Sequence, residues 1–579
     1  MATTLVRPTA GMLRKVAGPY WLAQFGPPSA VLAAYAASAL IVPTLAQVAV
    51  TDDWVYYRSV ETLVSEHRLW VHDMSSAALV FQTVWGAAFA ALLGLSFGTL
   101  RVSSLVVVGL GGLGFYGLCR ELHLPRAWSA LGMAACLFHP LMLSLAFTFM
   151  TDPHLAALLL IATWLYVRAL RGDQTHAGWT IAASVAAACA ILVRQQGVLL
   201  PASIATALLL GRSPQPARKR LGRAVQICTI PAGVALAYSA WLRYVNGTPW
   251  ALSLFWTDIA QAGWSGVLGL LPRLAVIEAL YVGLFVLPLV VSLLPGVLRL
   301  GGGVRGWPAL AATGWASLVG VGATVFWMDG QKTMPYVGQF VTPTGIGPED
   351  LIAARPVLME PSTRIGLTVA CALASMLAGV LFVRQVGRSR GFLASTAGLI
   401  AAAGAGQVVG TVPPSVHFIG WGGTLDRYLL PLLPLALLLL LWAMRGLRPV
   451  LPVAWLAVLL MAAWSVAGTR DHLVFLDSVW SVAREANAMG IADTRLDAGA
   501  GWDGFHVYQA PPDPAVQPRT PNPPWWAQLF APATDSSYLV AGSRLPGHDV
   551  VLERGYWSWL QQRWLPLYLL RRPGVQGPP

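Results

Sequence analysis

Residues 75–96 read SSAALVFQTVWGAAFAALLGLS, and whether this stretch crosses a membrane decides where every later loop lies. It is apolar and long enough to span a hydrocarbon layer of about 30 Å as a helix. If it crosses, the basic loop with Arg212, Arg218, Lys219, Arg220 and Arg223 becomes extracytoplasmic, against the tendency of Lys and Arg to stay inside. If residues 54–97 instead lie along the outer surface as helices that do not cross, that loop returns to the cytoplasmic side. The second placement gives about thirteen spans, near 30–50, 102–119, 127–148, 153–171, 177–193, 198–211, 224–244, 272–295, 307–327, 365–384, 391–412, 429–444 and 449–467. Of the 29 bases before Thr469, 19 then fall inside and ten outside, and twelve of the fifteen acids fall outside. Residues 1–28, with Arg7, Arg14, Lys15 and no acid, are placed in the cytoplasm by the same rule.

Composition agrees with a polytopic membrane protein. Of 579 residues 56% are hydrophobic and only 11% charged, and the mean hydropathy is +0.61. The net charge of +13 belongs to the loops between helices and is no sign of a nucleic-acid partner. From Thr469 onward ten acids face nine bases, so this segment is nearly neutral. The five cysteines (Cys119, Cys136, Cys189, Cys228 and Cys371) sit in or beside apolar runs and read as small buried hydrophobes, with neither disulfide nor metal spacing. Trp54, Trp70, Trp250, Trp307 and Trp421 lie near helix ends, the depth that amphipathic rings favour.

Two domains are expected: a membrane domain over 1–467 and a polar, Pro- and Trp-containing extracytoplasmic domain over 468–579. The second is long enough to fold, and Tyr538-Leu-Val-Ala and Asp549-Val-Val-Leu suggest short strands in an α/β arrangement. Pro511–Pro524 reads as a proline-rich loop.

The polar residues that could carry chemistry gather on the outer side: Asp52-Asp53, Thr151-Asp152-Pro153, Arg194-Gln195-Gln196, Lys332, His417 and Asp426-Arg427-Tyr428. Each has a structural explanation as well. Asp52 and Asp152 sit where helix caps sit, Arg194 could snorkel from a helix end, Asp426-Arg427 could form a local ion pair, and His417 alone is weak. A transporter would place ionisable groups near mid-depth on broken helices, where only Glu278 is a candidate. Clustering on one side fits an enzyme working at one face of the membrane.

In combination these pieces resemble the polyprenyl-phosphate-dependent membrane glycosyltransferases of the GT-C class, in particular the protein mannosyltransferase and lipid A aminoarabinose transferase group. The resemblance rests on four pieces in order across 51–434. They are the acidic pair Asp52-Asp53 followed by aromatic-rich helices, Phe149-Met-Thr-Asp152-Pro153, Arg194-Gln-Gln196, and Asp426-Arg427-Tyr428-Leu-Leu-Pro-Leu-Leu-Pro434. The last is the most specific, and Asp53 stands where the family usually has Glu. The resemblance implies a GT-C-like all-α membrane fold with surface helices after the first span, and Asp52, the first of the acidic pair, as catalytic base.

The chemistry expected is transfer of one sugar from a polyprenyl-phosphate donor to a hydroxyl, with inversion. The phosphate leaves readily, so the demand falls on a carboxylate that takes the acceptor proton. Asp52 is preferred for this, with Asp53 and Asp152 as further catalytic candidates. Arg194, Arg427, Lys332 and Tyr428 are the expected phosphate-binding residues. No cofactor and no metal is expected. Lipid, polysaccharide and protein hydroxyls stay open as acceptors, and a bacterial inner membrane with an extracytoplasmic site is the expected location. The competing readings are a transporter or flippase of a lipid-linked saccharide, and a surface-polysaccharide polymerase or ligase.

Overall fold

In the computed structural model the residues described are 20–172, 176–211, 215–293, 306–353, 355–389, 391–421, 423–447, 449–512, 519, 522–532 and 534–575. The basic N-terminal residues Arg7, Arg14 and Lys15, the loop residue Arg212, and residues 513–518, 520 and 521 of the proline-rich stretch lie outside them.

Helical segments lie within each of the thirteen expected spans, but not always over their full length: the first helix ends at Ile41, short of the expected 50. Among the described residues seven helices are long and apolar enough to cross a membrane, and eight if the pair Arg126–Leu137 and Pro140–Ala146 counts as one. The expected thirteen includes pieces as short as Leu199–Leu210, of 12 residues, which accounts for the difference. The expected continuous span 127–148 is bent by 63° between its halves. The cause is Pro140, which cannot donate a backbone hydrogen bond, and His139, whose side chain accepts from the Leu141 N–H and caps the new helix. Exposed Leu92, Leu210, Leu236, Leu310 and Leu460 give the bundle an apolar outer surface, as lipid contact requires. This is a multi-pass membrane protein.

Residues 54–97, on which the placement of the loops turned, form two helices, Asp53–Glu66 and Val80–Leu93, of 14 residues each. At 1.5 Å per residue each rises roughly 21 Å, short of the hydrocarbon thickness.

Small residues set how closely helices approach. Along Phe97–Glu121, Gly111 packs on Ala157, Gly114 on the Ile161 backbone and Gly117 on the Trp164 ring, all on Thr151–Ala169, which carries Asp152 at its start. Gly283 is tighter: a Cβ there would lie 2.0 Å from the Cys371 carbonyl oxygen of Pro361–Arg388. Gly283→Ala should force these two helices apart and destabilise the protein by about 1–3 kcal/mol, read as a lower melting temperature in detergent.

The helix that holds residue 467 runs unbroken from Leu451 to Ala488, so the domain boundary drawn at 467/468 falls inside a helix. Beyond it come β3 (Leu496–Asp497), β4 (Tyr538–Ala541), β5 (Asp549–Ser558) and β6 (Arg563–Arg571). They make a four-stranded sheet in the order β3-β4-β6-β5, with β3 parallel to β4 and the other pairs antiparallel. The two remaining strands, β1 (Val341–Thr342) and β2 (Gly345–Ile346), form a tight hairpin in the loop between Met328 and Pro361, which the sequence leads one to expect on the outer side. The long helix carries the sheet through Asp471, whose carboxylate accepts from the Ser558 hydroxyl and the Trp559 and Leu560 N–H groups at 2.7–2.9 Å. The C-terminal segment also covers the first surface helix: Trp54 packs on Tyr508 and Phe530, and Arg58 lies 4.2 Å over the Phe505 ring and donates to the Phe505 carbonyl.

Candidate active site

The chain enters the site through a clamped turn. Arg101, fully buried, donates to the carbonyls of Thr44, Ala46 and Val48. Asp53 points inward: one oxygen accepts from the Val50 N–H at 2.7 Å and the other from the Phe149 N–H at 3.4 Å. Burial pushes the Asp53 carboxyl up to about 7, against the nearby Arg101. With 1% of its surface open, Asp53 holds the turn together through these two bonds. Arg101 was not singled out from the sequence, where it is one cation at the start of an apolar run. Its partners are revealed only by folding.

Asp52 occupies the cap position of Asp53–Glu66, yet its side chain makes no capping bond. It accepts instead from Arg427, whose Nη1 and Nη2 reach the two carboxylate oxygens at 3.2 and 3.3 Å. This is a bidentate pair between positions 375 residues apart, and a quarter of Asp52 remains open. Arg427 also touches the Met150 sulfur and donates to the Tyr428 hydroxyl at 3.3 Å. Its sequence neighbour Asp426 is not its partner. Asp426 accepts from the Phe340 and Val341 N–H groups at 3.0 and 2.8 Å, pinning β1 beside the site.

A second pair stands next to the first. Arg194, at the end of Ala177–Val193, donates to Asp152 at the start of Thr151–Ala169, so Arg194 is held inward and does not snorkel. The Tyr428 ring joins the two pairs: the Arg194 guanidinium lies 4.9 Å from its centroid and that of Arg427 5.1 Å, both within cation–π reach. Burial works against the charge on each arginine. For Arg427, Asp52, Tyr428 and Asp152 outweigh it, and for Arg194, Asp152 with Tyr428 and Tyr56 does so, which keeps both guanidiniums firmly charged. Burial, with Asp52 beside it, keeps the Tyr56 hydroxyl protonated. The second Asp152 oxygen, Oδ2, is buried and has no hydrogen-bond partner among the described residues.

The structure thus brings together Asp52, Asp152, Arg194, Arg427 and Tyr428 from four separate stretches of sequence. It does not bring Lys332 to them. That side chain is exposed and bonded to Asp329, three residues earlier, at 2.5 Å. Lys332→Ala should shift the melting temperature in detergent by no more than about a degree, since exposed pairs of this kind contribute little to stability. His417 also lies apart, paired with Asp258 at 2.7 Å. Among the described residues no three His, Cys, Asp or Glu side chains gather in a way that could hold a metal ion. At the other end of Thr151–Ala169, Glu121 pairs with Arg168 and Arg171, and Arg445 donates to the Leu122 carbonyl.

Residues 76–239 match the family described as dolichyl-phosphate-mannose-protein mannosyltransferase. Among solved structures the chain is similar to ArnT from Cupriavidus metallidurans bound to undecaprenyl phosphate, at 15% identity, covering 96% of this chain and 100% of that one with a TM-score of 0.40. It is similar to the same protein in the apo state at 15% identity, covering 97% and 99%, with a TM-score of 0.40. The archaeal oligosaccharyltransferase AglB from Archaeoglobus fulgidus, in complex with an inhibitory peptide and a dolichol-phosphate, aligns at 12% identity over 79% of this chain and 56% of that one, with a TM-score of 0.40. No curated protein matches the chain. The matched segment, 164 of the 579 residues, carries Asp152 and Arg194.

Proposed function

We propose that the protein transfers a single sugar from a polyprenyl-phosphate donor to a hydroxyl acceptor, with inversion, at the outer face of the membrane in which it sits. The observation that carries this reading is the pair of carboxylate–guanidinium contacts, Asp52–Arg427 and Asp152–Arg194, meeting across the Tyr428 ring. Two planar guanidiniums side by side match the oxygens of a phosphate, and the two carboxylates beside them can address hydroxyls.

Arg427 is paired with Asp52. A donor phosphate competes for the same guanidinium, and on binding it releases the carboxylate beside the anomeric carbon. Asp52 then takes the proton of the acceptor hydroxyl as the new C–O bond forms and the C–O bond to phosphate breaks. One negative charge leaves Asp52 and one appears on the departing phosphate, so the total is unchanged and Arg427 and Arg194 stabilise it at its new location. Asp152, through its second oxygen, orients a sugar or acceptor hydroxyl. The C-terminal segment, packed on the first surface helix, forms the extracytoplasmic domain and walls the site.

The test is sugar transfer from labelled polyprenyl-phosphate monosaccharides into a cell-envelope extract, using membranes that contain the full chain. Transfer that depends on this protein is the expected result. Movement of labelled donor across the membrane without sugar release would replace the reading with that of a flippase.

A further inference from the structure

One residue before Asp52, the Thr51 side chain borders an enclosed cavity of about 20 Å³, room for about one water molecule. Asp350 of the outer loop, His472 of Leu451–Ala488 and Gly499 of the C-terminal segment close it from other sides. Four buried polar atoms belong to its walls: Thr51 Oγ1, Asp350 Oδ2 and both ring nitrogens of His472. Both His472 nitrogens have no hydrogen-bond partner among the described residues, and the Thr51 hydroxyl faces the Asp350 carboxyl. The backbone around them is packed to contact. A Cβ on Gly347 would lie 2.2 Å from the His472 ring and one on Gly499 2.4 Å from the Asp350 carbonyl oxygen, which also accepts from the Ala500 N–H.

Thr51 itself has φ +47°, a left-handed conformation that a β-branched residue adopts only when its surroundings impose it. The same outer loop that offers Asp350 to Thr51 is fixed at its other end to Asp426, beside Arg427. It therefore frames both halves of the Asp52–Arg427 pair. Apolar side chains would fill so small a space equally well, and buried polar groups are costly unless they bond, here through a shared water.

We propose that Asp350 and His472 are positioning residues for Asp52: with the Thr51 hydroxyl and a bridging water they hold the strained turn that aims Asp52 at the donor. This rests on the transferase reading above. Asp350 is faced by Asp52, Arg427 and Glu349, and His472 by Arg355 and Arg101. Burial, with Asp52 adding and Thr51 and Arg427 opposing, brings the Asp350 carboxyl to about 7. Below that pH it can donate into the network, and above it loses the proton and repels Asp52.

The test measures kcat and donor KM separately, with labelled polyprenyl-phosphate monosaccharide and full-length protein in membranes, for wild type, Asp350→Asn, Asp350→Leu and His472→Phe. Asp350→Leu and His472→Phe are expected to lower kcat on the order of ten- to a hundredfold through misplacement of Asp52, with donor KM within about threefold. Asp350→Asn keeps the shape and a donor, so it retains most of kcat at pH 6 and lacks the fall in kcat that the wild type shows as pH rises through about 7. Wild-type kcat in all three variants would overturn the proposal, as would an Asn variant that keeps the wild-type pH profile. If the Leu and Phe variants fail to reach the membrane, the pH profile of Asp350→Asn decides alone. Transfer by wild type with unaltered variants sinks this inference only, whereas no transfer by wild type sinks the transferase reading and this inference with it.

Discussion

Asp52→Asn is expected to lose sugar transfer by about 10²–10⁴-fold, the usual worth of a positioned general base, while binding polyprenyl phosphate at least as tightly as the wild type. The two halves of this result come from one contact. The carboxylate proposed as base also holds Arg427 in a bidentate pair. The amide has no charge with which to compete for the guanidinium, so a phosphate meets less resistance. Arg427 is left buried without its anion, and removing one partner of a fully buried pair costs about 3–5 kcal/mol. The loss here falls below that range because Asp52 is partly open to solvent. The empty variant should therefore melt earlier than wild type and regain more stability on adding polyprenyl phosphate. Thermal shift with and without the lipid phosphate, beside a transfer assay, reads both effects. Weakened phosphate binding in the variant would remove the competition between carboxylate and donor, and retained transfer would remove Asp52 as base.

Arg427→Gln should lower kcat/KM by about 10²–10³-fold, the range seen when one preorganised donor to a developing anion is lost. It should also raise the donor KM, because the guanidinium meets the phosphate in the ground state as well. Arg427→Lys should rescue little of this. A lysine offers a point charge where the site uses a planar fork, bonded to Asp52 on one side and reaching the Tyr428 hydroxyl on the other. The double variant Asp52→Asn, Arg427→Gln leaves no unpaired charge of the pair and should be more stable than the sum of the single losses predicts. A double-mutant cycle on melting temperature measures that coupling. Additive losses would mean that the pair contributes nothing in the folded protein.

Much of the site was legible because the chain is so apolar. In a background with few charges, Asp52, Asp152, Arg194 and Arg427 stand out at helix ends, and charge asymmetry places them on one side. What the sequence cannot disclose is pairing. Asp52 and Asp53 are chemically alike neighbours, yet one faces Arg427 and the other the Val50 and Phe149 N–H groups. Only the direction of the chain at the turn separates them, and Arg101 and Thr51 set that direction. Asp426-Arg427 looks like a local pair and is not one, since each residue reaches a different element. Lys332 illustrates the reverse case: a loop lysine aimed at a phosphate and one bonded three residues back are the same letter in the same kind of loop. The bend at Pro140 follows from proline chemistry and could have been read. The end of the helix past 467 could not, because the loss of hydropathy there marks where the helix leaves an apolar environment and carries no stop signal.

The helix Leu451–Ala488 has 38 residues, which at 1.5 Å each is a rod of roughly 57 Å, nearly twice the hydrocarbon thickness of about 30 Å. It runs without a break from the lipid-facing bundle past His472 and Asp471 to the end that carries the C-terminal sheet. Such a rod fixes height and angle together. Each residue inserted into it lifts what lies beyond by about 1.5 Å and turns it by about 100°, which would swing the sheet away from Trp54 and Thr51. The residue count of this helix is therefore constrained in a way that the length of a loop is not.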